Sequence, residues 1–200
     1  MDLMKKTYEI LGEMLKLNPS ITHLCLRLYE SKTGLAATHD DAFRYEWIST
    51  DLASDVSEIS ALISEFEKEG WTVGLASMVM TTEGIMHLLM LDYLVAPSAN
   101  AEGDLAWKLS TFNQSGDVNY RMDGYLIRTK NSYHYLSKYI TTEANFINFL
   151  GSALLFRHSE EGESHIVDDI WLGRSIKRRF GTIRLGKKEG IYPTVASEVK

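Results

Sequence analysis

The chain has 200 residues, of which 44% are hydrophobic and 24% charged, which fits one globular domain or one compact two-lobed unit with a sizeable core. Its single cysteine, Cys25, excludes an internal disulfide and fits a reducing cytoplasm. Lys5 and Lys6 are not followed by an apolar signal region, and no apolar stretch approaches the roughly 18–20 residues that span a bilayer. We therefore expect a soluble cytoplasmic protein with no membrane partner.

The net charge of −6 argues against strong nonspecific binding to nucleic acid. The charge is unevenly distributed, however, because residues 174–188 hold seven of the 21 basic residues and no acid. Such a patch on an acidic body can hold one polyanion locally. The alternative is that these cations only solvate a helix end, where positive charge is favourable.

The first seventy residues predict a helix, a strand and a second helix. Apolar residues at helical spacing indicate a helix over residues 3–17, and alternation predicts a strand over 22–29. Residues 51–69 form a clear amphipathic pattern that ends at Gly70. Cys25 lies within the apolar strand, which favours a packed thiol over a nucleophile.

The pattern changes to hairpins from residue 71 onward. Residues 71–80 and 85–95 predict one hairpin with a turn at 81–84, and residues 124–129 and 132–140 predict a second. Between them, residues 97–103 are the best linker candidate, a short helix is expected at 105–109, and 112–120 read as a loop.

After the second hairpin we expect a helix from Thr142 to Phe156, another from about Asp168 to Arg179, and a final strand over residues 182–185. The predicted fold is a single α+β domain over residues 1–200. It has a mostly antiparallel central sheet of hairpins, flanked by helices and covered on one side. Residues 1–70 form an N-terminal part, and 71–190 carry the motifs described next.

Three short stretches contain the residues that are candidates for a functional site. Asp92 follows the apolar run 88–91, Ser132 and His134 form a Ser-x-His at the start of a strand, and Asp168 follows Val167. An acid inside an apolar strand is costly unless it is paired, hydrogen-bonded or bound to metal. Residues two apart on a strand share a face, so Ser132 and His134 are expected to point the same way.

The order and spacing of these stretches resemble the three motifs of the archaeo-eukaryotic primase superfamily, hhhDhD/E, SxH and hD, where h is apolar. Residues 171–185 also resemble the segment after the third motif in the small bacterial primase 1D-like group. The resemblance covers about residues 70–190 and implies a core like that of the RNA-recognition motif. It also implies a nucleotidyltransferase that uses Mg²⁺ or Mn²⁺ and binds a nucleoside triphosphate and DNA or RNA.

The resemblance assigns roles residue by residue. Asp92 and Asp168, with Asp169 beside the latter, would hold metal and carry catalysis, while Ser132 and His134 would bind the triphosphate. On the last helix, Arg174, Lys177 and Arg178 are left facing outward, toward phosphates. The alternatives are an N-cap role for Asp168 and a surface pair for Ser132 and His134. No His and Cys spacing suggests zinc.

The first motif departs from the pattern at Leu94, where a second acid is expected. Asp169, Glu83, Asp104 or Asp123 could substitute, and the sequence selects none of them. Three functions therefore stay open: a metal-dependent primase–polymerase, a decayed module that binds nucleotide or nucleic acid without chemistry, and an interaction protein with coincidental motifs. Exchanging Leu94 for Asp should strengthen metal binding if Asp92 and Asp168 share a pocket, and destabilise the fold if Leu94 is core.

Overall fold

A computed structural model of the chain describes residues 5–30, 43–114, 121–154 and 166–200. The helices of these segments comprise a 3₁₀ turn and six α-helices: Thr7–Ile10, then α1 Leu11–Leu17, α2 Thr50–Ser54, α3 Val56–Lys68, α4 Ala99–Gln114, α5 Glu143–Ala153 and α6 Asp169–Arg178. The strands are β1 Ile21–Glu30, β2 Phe43–Ser49, β3 Trp71–Thr81, β4 Gly84–Tyr93, β5 Gly124–Arg128, β6 Tyr133–Thr141, β7 Thr182–Arg184 and β8 Thr194–Val199.

One antiparallel sheet joins all of these strands in the order β2-β1-β3-β4-β6-β5-β8, and β7 pairs with β3 outside that path. The α+β class, the antiparallel sheet and both predicted hairpins are thereby confirmed. β2 and β8 were not predicted. β2 lies on one outer edge of the sheet and β8 on the other.

Helices cover both faces of the sheet, whereas the sequence predicted cover on one side. Alternate residues of β4 make this plain: Leu88 and Met90 pack into one cluster with α1–α3, while Leu89 and Leu91 pack into another with α4 and α5. A central strand buried on both faces reads as a continuous apolar run rather than an alternation. This is the pattern of residues 88–91.

Two sequence predictions about helices need correction. Residues 97–103 are not a linker, because α4 begins at Ala99, where the Ser98 hydroxyl accepts the Ala101 N–H at 3.1 Å. The predicted loop from residue 112 begins later, since α4 runs to Gln114. The small polar residues that suggested a linker start a helix whose Leu105 and Leu109 are buried.

The predicted helix over 51–69 is divided at Asp55. Its carboxylate accepts the backbone N–H groups of Ser57 and Glu58, which makes it the N-cap of a new helix, α3. The C-terminal half of the predicted helix over 3–17 is observed as α1, and its first residues lie outside the described segments. The last residues of the predicted helix to Phe156 also lie outside them.

Two smaller expectations concern Cys25 and the membrane. Cys25 is fully buried in β1, and burial raises the pKa of its thiol to about 12, so this is a packed thiol and not a thiolate nucleophile. None of the helices in the described segments combines the length and apolar composition that crossing a bilayer requires.

Candidate functional site

A cleft opens where β4 separates from β3. The two strands pair through Gly84–His87, after which β4 continues beside β6, and β7 takes over the freed edge of β3 at Gly74–Ala76. Helix α6 begins next to the end of β4. Side chains from β1, β2, β4, β6, β7 and α6 line the resulting cleft.

Asp92 and His134 meet in this cleft because they are directly opposite each other on β4 and β6. The Nε2 atom of His134 lies 3.4 Å from Oδ1 of Asp92. The imidazole is buried, whereas 24% of the Asp92 side chain is exposed. The Nδ1 atom of His134 is buried with no hydrogen-bond partner among the described residues. The pair therefore presents one partly exposed carboxylate to solvent, with the buried imidazole behind it.

Asp168 is brought to the same cleft by two local interactions. Its backbone N–H donates to the Asp92 carbonyl at 2.9 Å, which continues an antiparallel bridge between Tyr93 and Val167. Its carboxylate accepts the Trp171 N–H at 2.9 Å and so caps α6. The N-cap alternative is thus correct as far as the local structure goes. It does not compete with a role in the cleft, because Asp168 also lines the cleft.

Among the residues that the structure describes, four arginines line the cleft and outnumber the two carboxylates there. Arg174 and Arg178 lie one turn apart on α6, Arg27 comes from β1, and Arg184 comes from β7. This arrangement suits an anion larger than a carboxylate, because guanidinium groups bind phosphates through paired hydrogen bonds. The predicted basic cluster of residues 174–188 is only partly involved, since Arg179 pairs with Glu143 and the ammonium of Lys187 lies 3.8 Å from Glu67.

Aromatic side chains complete the lining. The guanidinium of Arg27 lies 3.7 Å from the centroid of the Phe43 ring, and that of Arg178 lies 5.6 Å from the same centroid. Tyr29 is next to Arg184, and its burial raises the pKa of its hydroxyl although Arg184 opposes the shift. The Tyr29 hydroxyl is therefore a neutral donor or acceptor at physiological pH.

Several predicted residues do not line the cleft. Ser132 lies in the turn before β6, where its hydroxyl is 3.1 Å from the Thr129 hydroxyl. Lys177 is exposed on α6, and Asp169 is the first residue of that helix. The binding roles predicted for these three residues, and those of Asp92, His134 and Asp168, stay predictions.

Leu94 is not a core residue. It is 57% exposed just beyond the end of β4, where its N–H donates to the Ile166 carbonyl at 2.8 Å. Of the other acids that could substitute, Glu83 and Asp104 are exposed elsewhere, and Asp123 pairs with Arg121 at 2.7 Å. None of these three acids lines the cleft.

The side chains that could coordinate a metal in the cleft test whether the predicted cation fits there. Within the described segments, no three His, Cys, Asp or Glu side chains are grouped in a way that could hold a metal ion on protein ligands alone. The two carboxylates that line the cleft, Asp92 and Asp168, are hard oxygen donors. They fit a cation such as Mg²⁺, which usually takes one or two carboxylates and completes its coordination with water and substrate phosphates.

Arg27, Tyr29 and Phe43 were missed by the sequence analysis, since the motifs cover only about residues 70–190. One signal could have found Arg27. It interrupts an apolar run between Leu26 and Leu28, and a buried arginine is rare unless it has a specific partner. No local signal marks Tyr29 or Phe43, which reach the cleft through the pairing of β1 with β2.

The sheet lies between two layers of helices, and two acids and a histidine line one cleft beside arginines, as expected of a primase-fold module. The family model for archaeo-eukaryotic primase 1D-like proteins matches residues 54–197, and the chain belongs to that family. β1 and β2 lie before the matched residues although they contribute Arg27, Tyr29 and Phe43 to the cleft. No curated protein and no solved structure gives a significant match.

Proposed function

We propose that the cleft binds a nucleoside triphosphate and supports metal-dependent nucleotidyl transfer to a DNA or RNA end. The observation that carries the proposal is that Asp92, His134 and Asp168 line one cleft together with four arginines. Three sequence motifs more than thirty residues apart supply these acids and the histidine, and the fold brings all three to the lining of this cleft.

Each group in the cleft has a role that its chemistry supports. The arginines and His134 donate to phosphate oxygens, which spreads and neutralises negative charge during phosphoryl transfer. Asp92 and Asp168 would hold a divalent cation together with phosphate oxygens of the substrate. When bound, that cation supplies Lewis-acid stabilisation of the developing charge. His134 stands beside the Asp92 carboxylate, and when protonated it is a charge-assisted donor to phosphate.

A second function has its own support. Leu94 replaces an expected acid, and the protein ligands that the described segments bring to the cleft are too few to hold a metal without substrate. A module that binds nucleotide or nucleic acid without chemistry would keep the arginines and His134 and could lose the second acid of the first motif. The two functions differ in whether Asp92 is needed for turnover.

The test is primer extension and triphosphate binding, each with Mg²⁺, Mn²⁺ or no metal. The natural protein is compared with Asp92→Asn and Leu94→Asp at equal folded concentration. Extension by the natural protein that is lost in Asp92→Asn supports nucleotidyl transfer. Triphosphate binding without extension in all three supports the binding module, and a folded protein with neither activity contradicts both.

A further inference from the structure

A row of aromatic side chains leads out of the cleft along β2. Residues two apart on a strand share a face, so Phe43, Tyr45 and Trp47 form one row. We name these three residues the aromatic track. Phe43 lies at its inner end and lines the cleft, while Tyr45 and Trp47 continue away from it along β2, which is an edge strand of the sheet.

The outer part of the track is not core. Tyr45 and Trp47 are 43% and 36% exposed, whereas Ile48, on the opposite face of β2, is buried against α1–α3. The ring of Tyr45 meets that of Phe180 edge to face at a centroid distance of 5.8 Å, and Phe180 also lines the cleft. The track is therefore continuous with the cleft, yet it leaves two large rings open to solvent.

Positive charge accompanies the rings at the inner end. Arg27 is the direct β1 partner of Tyr45 and also stacks on Phe43, with Arg178 on α6 near the same ring. The acid on this strand, Glu46, projects to the other face and forms an ion pair with Arg44. Exposed aromatic rings beside guanidinium groups are the combination with which proteins bind single-stranded nucleic acid, through base stacking and backbone attraction.

The spacing of the rings favours a single strand over a duplex. Side chains on one face of an antiparallel strand recur about every 6.8 Å. Bases stacked in a duplex recur about every 3.4 Å along each strand. Neighbouring rings of the track can therefore stack only on bases that have separated from one another, as in an extended single strand.

We propose that the aromatic track binds single-stranded nucleic acid and guides it into the cleft. This inference rests on the proposed function, because it takes the cleft as the place where the strand end and the triphosphate meet. It adds a surface that lies before the residues matched by the family model. Tyr45 and Trp47 each stack on a base, and Arg27 and Arg178 attract the backbone near the cleft.

The experiment measures the affinity of labelled oligo(dT) and oligo(U) by fluorescence anisotropy, and triphosphate affinity by calorimetry. Tyr45→Ala and Trp47→Ala should each weaken oligonucleotide binding by at least about fivefold, and the double variant by more. Tyr45→Phe should retain binding, because it keeps the ring. Triphosphate affinity should be unchanged in all of them, and a duplex of the same length should bind more weakly than the single strand.

Trp107 provides the matched control. It is an aromatic residue that is 67% exposed on α4, a helix that packs near β8 at the other edge of the sheet. Trp107→Ala should bind oligonucleotides like the natural protein. An equal loss in Trp107→Ala would overturn the track as a specific surface.

The remaining outcomes separate the track from the proposed function. Unchanged oligonucleotide binding in the double variant, with intact triphosphate binding, overturns the track and leaves the proposed function standing. Ring-dependent oligonucleotide binding without triphosphate binding supports the track and counts against the proposed function. The track is also overturned if the natural protein binds no oligonucleotide. A dimer that Trp47→Ala dissociates, with oligonucleotide binding unchanged, would instead assign β2 to contact with a second copy.

Discussion

His134 Nε2 lies 3.4 Å from Asp92 Oδ1 because the two residues are direct partners on β4 and β6. Buried neighbours hold the register of these strands, with Tyr133 opposite Tyr93 and Tyr135 opposite Leu91. A slip of one residue would turn every side chain of one strand to the other face. Core packing therefore keeps the acid and the imidazole together before any ligand arrives.

This relationship predicts that the loss of triphosphate affinity is independent of metal in one variant and dependent on metal in another. His134→Ala should weaken triphosphate binding about ten- to a hundredfold with or without metal, because it removes a hydrogen bond to a charged group. Asp92→Asn should weaken binding only when Mn²⁺ or Mg²⁺ is present. Without metal it removes a negative charge beside the phosphates and should leave affinity equal or higher. Calorimetry in chelator and in Mn²⁺ checks this, and equal losses for Asp92→Asn in both would contradict a metal role.

Asp168 both caps α6 and lines the cleft, and two substitutions separate these tasks. Asparagine is as good an N-cap as aspartate, so Asp168→Asn should keep stability close to that of the natural protein. Asp168→Ala should lower the free energy of unfolding by about 1 kcal/mol. Both should lose metal-dependent primer extension. Urea unfolding measures the stability of both variants, and primer-extension assays measure their activity. Full extension by Asp168→Asn would show that Asp168 acts only as a helix cap.

The predicted phosphate-binding residues of α6 should not be equivalent. Arg174 and Arg178 line the cleft, whereas Lys177 does not, so Arg174→Ala and Arg178→Ala should weaken triphosphate and oligonucleotide binding and Lys177→Ala should do so little. The slope of log affinity against log salt should fall by about one for each phosphate that the variant no longer neutralises. Binding measured from low to physiological salt checks this. Equal small effects in all three variants would assign the cluster to solvation of the helix end.

Leu94→Asp should fold normally, because Leu94 is 57% exposed and exposed substitutions usually change stability by no more than about 0.5 kcal/mol. The bridge of Tyr93 with Val167 continues the pairing beyond Asp92, and residues two apart on a strand share a face, so we expect an acid at position 94 to point to the same side as Asp92. Because Leu94 leaves the first motif without its second acid, the natural protein should show higher activity with Mn²⁺, which tolerates irregular coordination, than with Mg²⁺. The variant should bind both metals more tightly, as titration calorimetry with triphosphate would reveal. Unchanged metal affinity would mean that position 94 does not reach the site.

His87 should make stability depend on pH. It is buried beside the ring of Phe146, its Nδ1 lies 3.3 Å from the Ser77 hydroxyl, and burial lowers its pKa. The unfolded chain then binds a proton more readily, so this contribution is present above the ordinary pKa of about 6.5 and is lost as pH falls toward the folded value. Urea unfolding at several pH values should give a weaker acid dependence for His87→Leu than for the natural protein. An identical dependence would exclude His87 as its source.

Local sequence patterns alone predict several strands and helices of this protein and the order of its motifs. The hairpins β3–β4 and β5–β6 follow from apolar runs separated by turn residues, and α6 follows from its acidic start and apolar stripe. The order of Asp92, Ser132, His134 and Asp168 along the chain is enough to indicate the primase family. These features can be predicted from the sequence because each motif and each element depends on residues only a few positions apart in the chain.

The tertiary structure decided the rest. Arg27, Tyr29 and Phe43 reach the cleft through pairing between β1 and β2, and α4 forms where small polar residues suggested a linker. Ser132 and Lys177 fit the sequence pattern, yet their side chains lie outside the cleft. Periodicity reports which side of an element is buried, but not which distant element will lie against it. Strand order and the separation of β4 from β3 arise from packing of the whole core, and they determine which side chains meet.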